Sequence, residues 1–237
     1  MTKHKKPVFY TFIRKLVRKY YYSYQFEGLN DNQSGNIYIS NHAQIHGPLA
    51  FELYFPNPKK IWVIGEMCSK KTAAKYAMQD FWPKMKKTNK WLYYLFSHLI
   101  ISWLGPYLIN NSDTIPVYKD LRLKDTIRNT VNNLALYQDI IIFPEFDQPL
   151  NQYINDFQKR FVDIANYFNK QNPRELYFFP VYTCPDLKKV IIGKKTLFDK
   201  DKPFEEERER IIRYLQTEIT NMANSLPSFT ITPYRSI

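Results

Sequence analysis

At 237 residues the chain is long enough for one domain with a substantial core, and an aromatic content of 17% argues against a disordered chain. It contains only 6 glycines and neither of the common glycine-rich motifs, which excludes the usual nucleotide-binding loops. A formal net charge of +12 at pH 7 indicates an anionic partner. That partner is nucleic acid, a membrane surface or a phosphorylated substrate.

The two cysteines, Cys68 and Cys184, lie far apart and lack the spacing of a metal site. We therefore expect small core residues in a reducing compartment, and no metal centre. The basic N-terminus is not followed by the uninterrupted apolar stretch of a secretory signal peptide, because arginines and lysines interrupt it. These features favour a protein on the cytoplasmic side of a membrane.

Residues 1–30 are predicted to form a basic amphipathic segment that precedes an α/β domain at residues 31–237. Between residues 7 and 24 aromatic side chains alternate with arginine and lysine, and no acidic residue comes before Glu27. A helix that lies in a membrane interface has this composition. A surface helix packed on its own domain fits the pattern equally well.

The next segment places an imidazole in a position typical of ligand-binding sites. Residues 36–40 read as a short buried strand, followed by Asn41-His42 and by a helix opened by Gly47 and Pro48. Open α/β sheets bind ligands at the carboxyl ends of their strands, and helix N-termini attract anions. A purely structural histidine is the alternative at this point.

A basic segment and an uncharged segment follow. Residues 59–90 carry nine lysines, with aromatic side chains among them, against two acidic residues. Residues 91–109 are nearly uncharged and almost long enough to span a bilayer, although serines, a histidine and a Gly-Pro pair interrupt them. We favour a helix half-sunk in the membrane or packed beside the site; a core helix and a true span are the alternatives. Nucleic acid does not explain such an uncharged stretch.

The rest of the chain alternates predicted strands and helices. The strands fall at residues 61–64, 114–118, 139–143, 176–182 and 190–192, and the helices at residues 49–55, 123–134, 157–168 and 205–226. This alternation predicts a single α/β domain with a mainly parallel or mixed sheet flanked by helices.

Four pieces of the sequence, in this order, resemble the glycerophospholipid acyltransferase family, which includes the lysophosphatidate acyltransferases. Asn41-His42 matches the start of the first family motif, and Gly47 stands at the position of its aspartate. Residues 115–119 look like the second motif, with Lys119 in the place of an arginine and Arg122 close behind.

The later two motifs are similar in part. Phe143-Pro144-Glu145 matches the first half of the third motif, after which residues 146–148 depart from its Gly-Thr-Arg and include Asp147. Pro180-Val181 matches the fourth motif. The resemblance covers about residues 33–195 and implies a glycerophosphate acyltransferase-like fold.

The resemblance implies transfer of a fatty acyl group from an acyl thioester, carried by coenzyme A or acyl carrier protein, to a hydroxyl of a lysophospholipid or glycerophosphate-like acceptor. His42 would be the general base and Glu145 would help to shape the catalytic site. Lys119 or Arg122 would hold the acceptor's phosphate. Further substrate-binding residues would be Asn41, His46, Phe143 and Pro144.

The glycine at the aspartate position leaves three alternatives open. Asp147 could supply the carboxylate from a neighbouring loop, and His46 could take a catalytic or orienting part. The third alternative is a catalytically impaired relative that binds lipid or acyl donor without turnover. Apart from the thioester co-substrate, the resemblance implies no cofactor. The expected partners are an anionic membrane surface, the acyl donor and the acceptor, with no nucleic acid, and the expected location is peripheral, on the cytoplasmic face of a membrane.

Overall fold

In the computed structural model, which describes residues 6–29, 34–78, 90–232 and 234, a mixed sheet forms the middle layer of an α/β domain. The strands are β1 (Gln25–Glu27), β2 (Ile37–Ser40), β3 (Lys59–Ile64), β4 (Thr114–Val117), β5 (Asp139–Ile142), β6 (Glu145–Pro149), β7 (Asn155–Phe157), β8 (Tyr177–Cys184), β9 (Lys189–Ile192) and β10 (Thr196–Leu197). The order in the main sheet is β1-β9-β8-β2-β5-β3-β4, with β10 on β8, while β6 and β7 form a separate hairpin.

Five neighbouring strands of this sheet, β8, β2, β5, β3 and β4, run parallel. Strands β9 and β10 are antiparallel to β8, and β1 pairs parallel to β9. The carboxyl ends of the five parallel strands therefore meet at one edge of the sheet, which confirms the predicted mainly parallel, mixed architecture.

Helices cover both faces of the sheet. They are α1 (Val8–Tyr20), α2 (His46–Tyr54), α3 (Lys70–Tyr76), α4 (Lys90–Phe96), α5 (Ser102–Asn111), α6 (Leu123–Ala135), α7 (Asp163–Asn169) and α8 (Phe204–Asn224). Short 3₁₀ turns occur at Gly65–Cys68 and Lys159–Val162, and a π-helical turn at Ser97–Ile101 joins α4 to α5.

Alternate residues of the central strands face two separate cores, as the period of two in a strand requires. Ile37 and Ile39 of β2 pack with apolar residues of α6, α7 and α8. Tyr38, between them, packs with Phe51 of α2 on the other face. Because both faces are buried, the parallel strands consist of nearly continuous apolar runs.

Helix α1 is attached to the domain through polar contacts. The hydroxyl of the buried Tyr10 donates to Glu52 Oε1 at 2.6 Å, and Arg14 donates to the Glu52 carbonyl oxygen at 2.9 Å. The Lys6 ammonium pairs with Asp113 at 2.7 Å. Several large apolar side chains of the helix remain exposed: Val8, Phe9, Phe12, Leu16 and Tyr20. The helix thus packs on its own domain and also presents an apolar surface.

The uncharged stretch at residues 91–109 forms two helices with a π-helical turn between them. Ser97 and Pro106 are buried, but most of its large apolar side chains are exposed: Trp91, Leu92, Tyr94, Leu95, Phe96, Leu99, Ile100 and Trp103. The alternative of a core helix is therefore wrong. None of the helices in the described part of the chain has the length and the apolar run needed to cross a bilayer.

Some local expectations need correction. Helix α2 begins at His46, so Gly47 and Pro48 lie inside its first turn, where the missing N–H of proline still removes no intrahelical bond. The predicted helix at residues 157–168 is instead the end of β7, a 3₁₀ turn and α7. Its apolar residues are buried in all three elements, so their spacing imitates one face of a continuous helix. Strands β1, β7 and β10 have three residues or fewer, too few to show a pattern, and β6 is mostly polar and exposed.

Part of the predicted lysine-rich segment lies outside the described residues. This concerns Asp80, Phe81, Trp82, Lys84, Lys86 and Lys87. Of its other lysines, Lys70, Lys71 and Lys75 are exposed on α3. Both cysteines carry free thiols; Cys184 is buried, as expected, and Cys68 is half-buried.

Candidate functional site

The sheet brings several of the predicted site residues to one edge. Asn41 and His42 follow β2, and residues 143–145 follow β5, which pairs with β2 in parallel. Lys119 and Arg122 follow β4, which is separated from β2 by β5 and β3. Three strand spacings correspond to about 14 Å, so the β4 end is distant from the β2 end along the edge.

Asn41 holds the end of β2 against β8. Its side-chain Oδ1 accepts a hydrogen bond from the Thr183 N–H at 2.7 Å, and its Nδ2 donates to the Thr183 carbonyl at 3.0 Å. The side-chain amide thus extends the hydrogen bonding between β2 and β8 beyond the end of β2. Since Asn41 is buried and both of its polar atoms are used, its contribution to the site is to fix the position of the next residue, His42.

A tight loop follows His42 and folds back onto its imidazole. Ala43 and Gln44 have φ angles of 44° and 58°, in the left-handed region that side chains other than glycine rarely adopt. Two such residues in succession cost on the order of 1–3 kcal/mol each. The conformation directs the Gln44 carbonyl oxygen to Nδ1 of His42, and the two atoms are hydrogen-bonded.

This contact determines which nitrogen of neutral His42 is available for chemistry. A carbonyl oxygen only accepts hydrogen bonds, so Nδ1 carries the proton and Nε2 keeps its lone pair. No residue in the described part of the chain forms a hydrogen bond with Nε2. Burial lowers the pKa of His42, which favours the neutral form. The arrangement presents a proton acceptor at the edge of the sheet.

Glu145 connects this loop to the β6–β7 hairpin. One carboxylate oxygen accepts the main-chain N–H of His42 at 2.5 Å, and the other accepts the N–H of Asn155 at 2.8 Å. The side chain is buried, and this burial raises the carboxyl pKa from its ordinary 4.5 to about 7, against the two hydrogen bonds that lower it. Glu145 thus holds the backbone of His42 in place.

The position that aspartate occupies in the first motif of the resembled family is sterically closed here. A Cβ atom on Gly47 would lie 2.7 Å from the His42 carbonyl oxygen and 2.8 Å from Cε1 of Phe143. Phe143 also packs its ring on the imidazole, with 5.3 Å between ring centroids, and it follows β5 just before the buried Pro144. The Gln44 carbonyl, and not a carboxylate, is therefore the partner of Nδ1.

His46 contacts Tyr21, an interaction that the sequence does not predict. Its Nδ1 is hydrogen-bonded to the Tyr21 hydroxyl at 2.5 Å, and its ring stacks on Tyr21 with 5.8 Å between centroids. Burial lowers the pKa of His46, which favours the neutral ring, and the bare Nδ1 of such a ring accepts the hydrogen bond of the Tyr21 hydroxyl. The pair fastens the segment that follows α1 to the first turn of α2.

The remaining predicted residues do not contact His42. Asp147 is exposed and forms no hydrogen bond with His42, so the orienting part predicted for it has no contact to support it. Arg122 is paired with Asp120 at 2.7 Å and lies 3.8 Å above the Tyr118 ring. Lys119 is exposed and forms no ion pair within the described residues.

Sequence reasoning missed two members of the site. The main-chain carbonyl of Gln44 carries no signature, because it acts through backbone conformation and not through its side chain. Tyr234 lies far along the chain, and its ring packs on His42 with 5.2 Å between centroids. No cluster of three or more metal-ligating side chains occurs among the residues that the structure describes.

Comparison of the chain with protein-family models, with curated proteins and with solved structures finds no match.

The closure around Gly47 can be tested by adding a single methyl group. Gly47→Ala is expected to lower the free energy of unfolding by about 1–3 kcal/mol, because the new Cβ collides with a main-chain carbonyl and a packed ring. Gly105→Ala is the matched control, since its Cβ would meet Met67 only at 3.6 Å. In the interior of a helix that change is expected to stabilise by about 0.5–1 kcal/mol. Urea unfolding of both variants measures the difference, and equal effects would contradict the closure.

The buried carboxyl of Glu145 predicts a pH-dependent stability. Because the pKa of Glu145 is raised in the folded state, the protonated carboxyl contributes fully to the free energy of unfolding below about pH 4.5. This contribution is lost as the pH rises through about 7. Relative to Glu145→Gln, the native protein should lose about 3 kcal/mol of unfolding free energy between about pH 4 and pH 8. Urea titrations of both proteins at the two pH values measure this, and a pH-independent difference would refute it.

Proposed function

We propose that the protein is an acyltransferase that moves a fatty acyl group from an acyl thioester of coenzyme A or acyl carrier protein to the hydroxyl of a lysophospholipid or glycerophosphate-like acceptor. The observation that carries the proposal is the state of His42, whose Nε2 lone pair is fixed at the carboxyl edge of a parallel sheet. The order of the four sequence motifs supports the same reaction.

In the proposed reaction Nε2 of His42 takes the proton of the acceptor hydroxyl while that oxygen attacks the thioester carbonyl carbon. The carbon–sulfur bond breaks, and the proton passes from Nε2 to the departing thiolate. The Gln44 carbonyl holds the ring in the required tautomer throughout. Lys119 is the exposed cation proposed to attract the anionic part of a substrate to this edge, because the Arg122 guanidinium is already paired.

A second candidate function is binding of lipid or acyl donor without turnover. The closed position at Gly47 favours it, because a carbonyl dipole stabilises an imidazolium less than a full carboxylate charge does. In a related serine–histidine–aspartate site, replacing the carboxylate by a neutral group lowers kcat by about 10⁴-fold because the histidine takes the wrong tautomer. The Gln44 carbonyl keeps the tautomer of His42, so only the loss due to the missing charge applies here. The proposed acyltransferase is accordingly expected to be slower than one with the carboxylate.

An apolar surface supports a lipid as the substrate. The Phe9 ring of α1 packs on Tyr107 of α5, with 5.5 Å between centroids, and also lies against Trp103. The exposed apolar side chains of α1 therefore meet those of α5 at this contact. We call the exposed apolar residues of α1, α4, the π-helical turn and α5 together the α1–α5 surface: Val8, Phe9, Phe12, Leu16, Trp91, Leu92, Leu95, Leu99 and Trp103.

Cations beside this surface favour an anionic bilayer as its partner. Lys15, Arg18 and Lys19 are exposed on α1, and the whole chain has a formal net charge of +12. Contiguous exposed apolar areas mark interaction sites, and neighbouring basic side chains strengthen binding to anionic lipid. In this proposal the protein lies peripherally on the cytoplasmic face of a membrane, and nucleic acid is not its partner.

Turnover tests the proposed reaction. The purified protein should transfer an acyl group from a thioester to at least one member of a panel of lysophospholipids and glycerol phosphates. His42→Ala should lower kcat by about 10²–10⁴-fold, because the base is lost. Asp147→Asn should keep the native rate, since Asp147 is exposed and does not contact His42.

His98→Ala is the matched control, because His98 is exposed on the π-helical turn and its Nδ1 bonds only the Tyr94 carbonyl. Loss of turnover in Asp147→Asn would contradict the proposal that the Gln44 carbonyl, and not Asp147, orients the His42 imidazole. Absence of turnover with every acceptor, together with retained vesicle binding, would favour the second candidate function.

Co-sedimentation with vesicles of phosphatidylcholine and phosphatidylserine tests the α1–α5 surface. The double variant Phe12→Glu, Leu16→Glu should lose binding, because each change puts a like charge against anionic lipid and removes an apolar contact. Leu136→Glu is the matched control, since Leu136 is equally exposed but lies at the end of α6. Native protein that binds nucleic acid and not vesicles would contradict the proposal.

A further inference from the structure

The segment after α8 returns to the sheet edge that carries His42. Helix α8 ends at Asn224, and Leu226 and Phe229 then pack against the larger core. The Phe229 ring packs against the rings of Tyr153 and Tyr182, with centroid separations of 6.2 Å and 6.1 Å. This residue therefore anchors the segment at a defined point.

A second contact fixes the direction of the segment. The N–H of Thr230 donates to Asp186 Oδ2 at 2.7 Å, and Asp186 lies in the turn between β8 and β9. Because β8 runs parallel to β2, this turn lies at the same edge of the sheet as the loop that follows β2. The two anchors bring the chain to the imidazole of His42.

The last described residue of this segment, Tyr234, packs on the imidazole of His42. The Tyr234 ring lies 5.2 Å from the His42 ring, centroid to centroid, at an interplanar angle of 45°. Phe143 makes the other ring contact, at 5.3 Å and 58°. Two aromatic rings and one carbonyl oxygen therefore define the environment of the imidazole, which in this chain has no carboxylate on its Nδ1.

We infer that Tyr234 is a positioning residue for the His42 imidazole, and that residues 225–232 serve to bring its ring to the site. A carbonyl fixes the tautomer through one atom, but a single hydrogen bond restrains the ring less firmly than the same bond together with packing against the ring. Contact with two rings restricts that rotation and excludes water from the imidazole. The inference rests on the proposed role of His42 as the base, and it adds a residue to the same site.

Titration of the His42 ring protons by NMR tests the inference with the full-length protein, and this measurement needs no turnover. Tyr234→Ala should move the Cε1–H resonance, because a ring current is lost, and should raise the titration midpoint by roughly half a unit or more as water reaches the ring. Tyr234→Phe should restore the native resonance and midpoint, since the ring and not the hydroxyl makes the contact.

Phe229→Ala is the second variant. It changes no residue that touches His42 and removes only the remote anchor. Without that anchor the Tyr234 ring should leave the imidazole, and the His42 midpoint should shift in the same direction as in Tyr234→Ala. The exposed His98 is an internal reference whose ring resonances should not move in any of the three variants.

A His42 titration midpoint in Tyr234→Ala that equals that of the native protein would overturn the inference. A Tyr234→Phe variant that behaves like Tyr234→Ala would overturn it as well. Where turnover is measured, Tyr234→Ala should lower kcat more than it changes KM, and a raised kcat would overturn the positioning role. If the midpoint shifts as expected but no acceptor is acylated, the positioning role stands and the proposed acyl transfer is refuted.

Discussion

The candidate site depends on one hydrogen bond, which joins Nδ1 of His42 to the main-chain carbonyl of Gln44. A carbonyl and a carboxylate both make Nδ1 the protonated nitrogen, and both leave Nε2 as the acceptor. They differ in charge, because a carboxylate stabilises a protonated imidazole more strongly than a carbonyl dipole does. The chain therefore keeps the orientation of a catalytic base without a full charge to support it.

Several unusual local features serve this hydrogen bond. Two successive left-handed residues place the Gln44 carbonyl, and the absence of a side chain on Gly47 lets the loop close against Phe143. Asn41 fixes one end of the loop on β8, and the carboxylate of Glu145 holds the N–H of His42. Two left-handed residues and two buried polar side chains thus meet at this edge of the sheet, as is common where a fold positions functional groups.

Much of the architecture follows from the sequence. Apolar runs such as that of β5 (Asp139–Ile142) indicate buried parallel strands, and the motif order brings His42 and Glu145 to adjacent strand ends. The β6–β7 hairpin cannot be predicted in this way, because its residues are largely polar or exposed and the pairing is irregular.

The details of the site are harder to read from the sequence. Nothing about the residue types alanine and glutamine indicates left-handed backbone, and a carbonyl acts without regard to its side chain. Asp147 is near Glu145 in sequence, yet its side chain is exposed while the Glu145 side chain is buried. Tyr234 reaches His42 through tertiary packing of Phe229, which no local pattern shows.

The attachment of α1 relates the proposed membrane surface to the site. Polar contacts of Tyr10 and Arg14 with Glu52 hold the helix on α2, and the Tyr21 hydroxyl reaches His46 in the first turn of the same helix. The apolar side chains of α1 are thereby left for another partner. A lipid bound at the α1–α5 surface would meet a helix that is connected to the loop of His42 by direct hydrogen bonds.

The tautomer of His42 tests the central claim most directly. Long-range proton–nitrogen correlation spectra of the native protein, recorded above the pKa of this histidine, distinguish a protonated ring nitrogen from a bare one. The structure predicts a proton on Nδ1 and a bare Nε2, because Nδ1 faces a carbonyl oxygen. A proton on Nε2 would contradict the account, since the atom proposed to accept the substrate proton would already carry one.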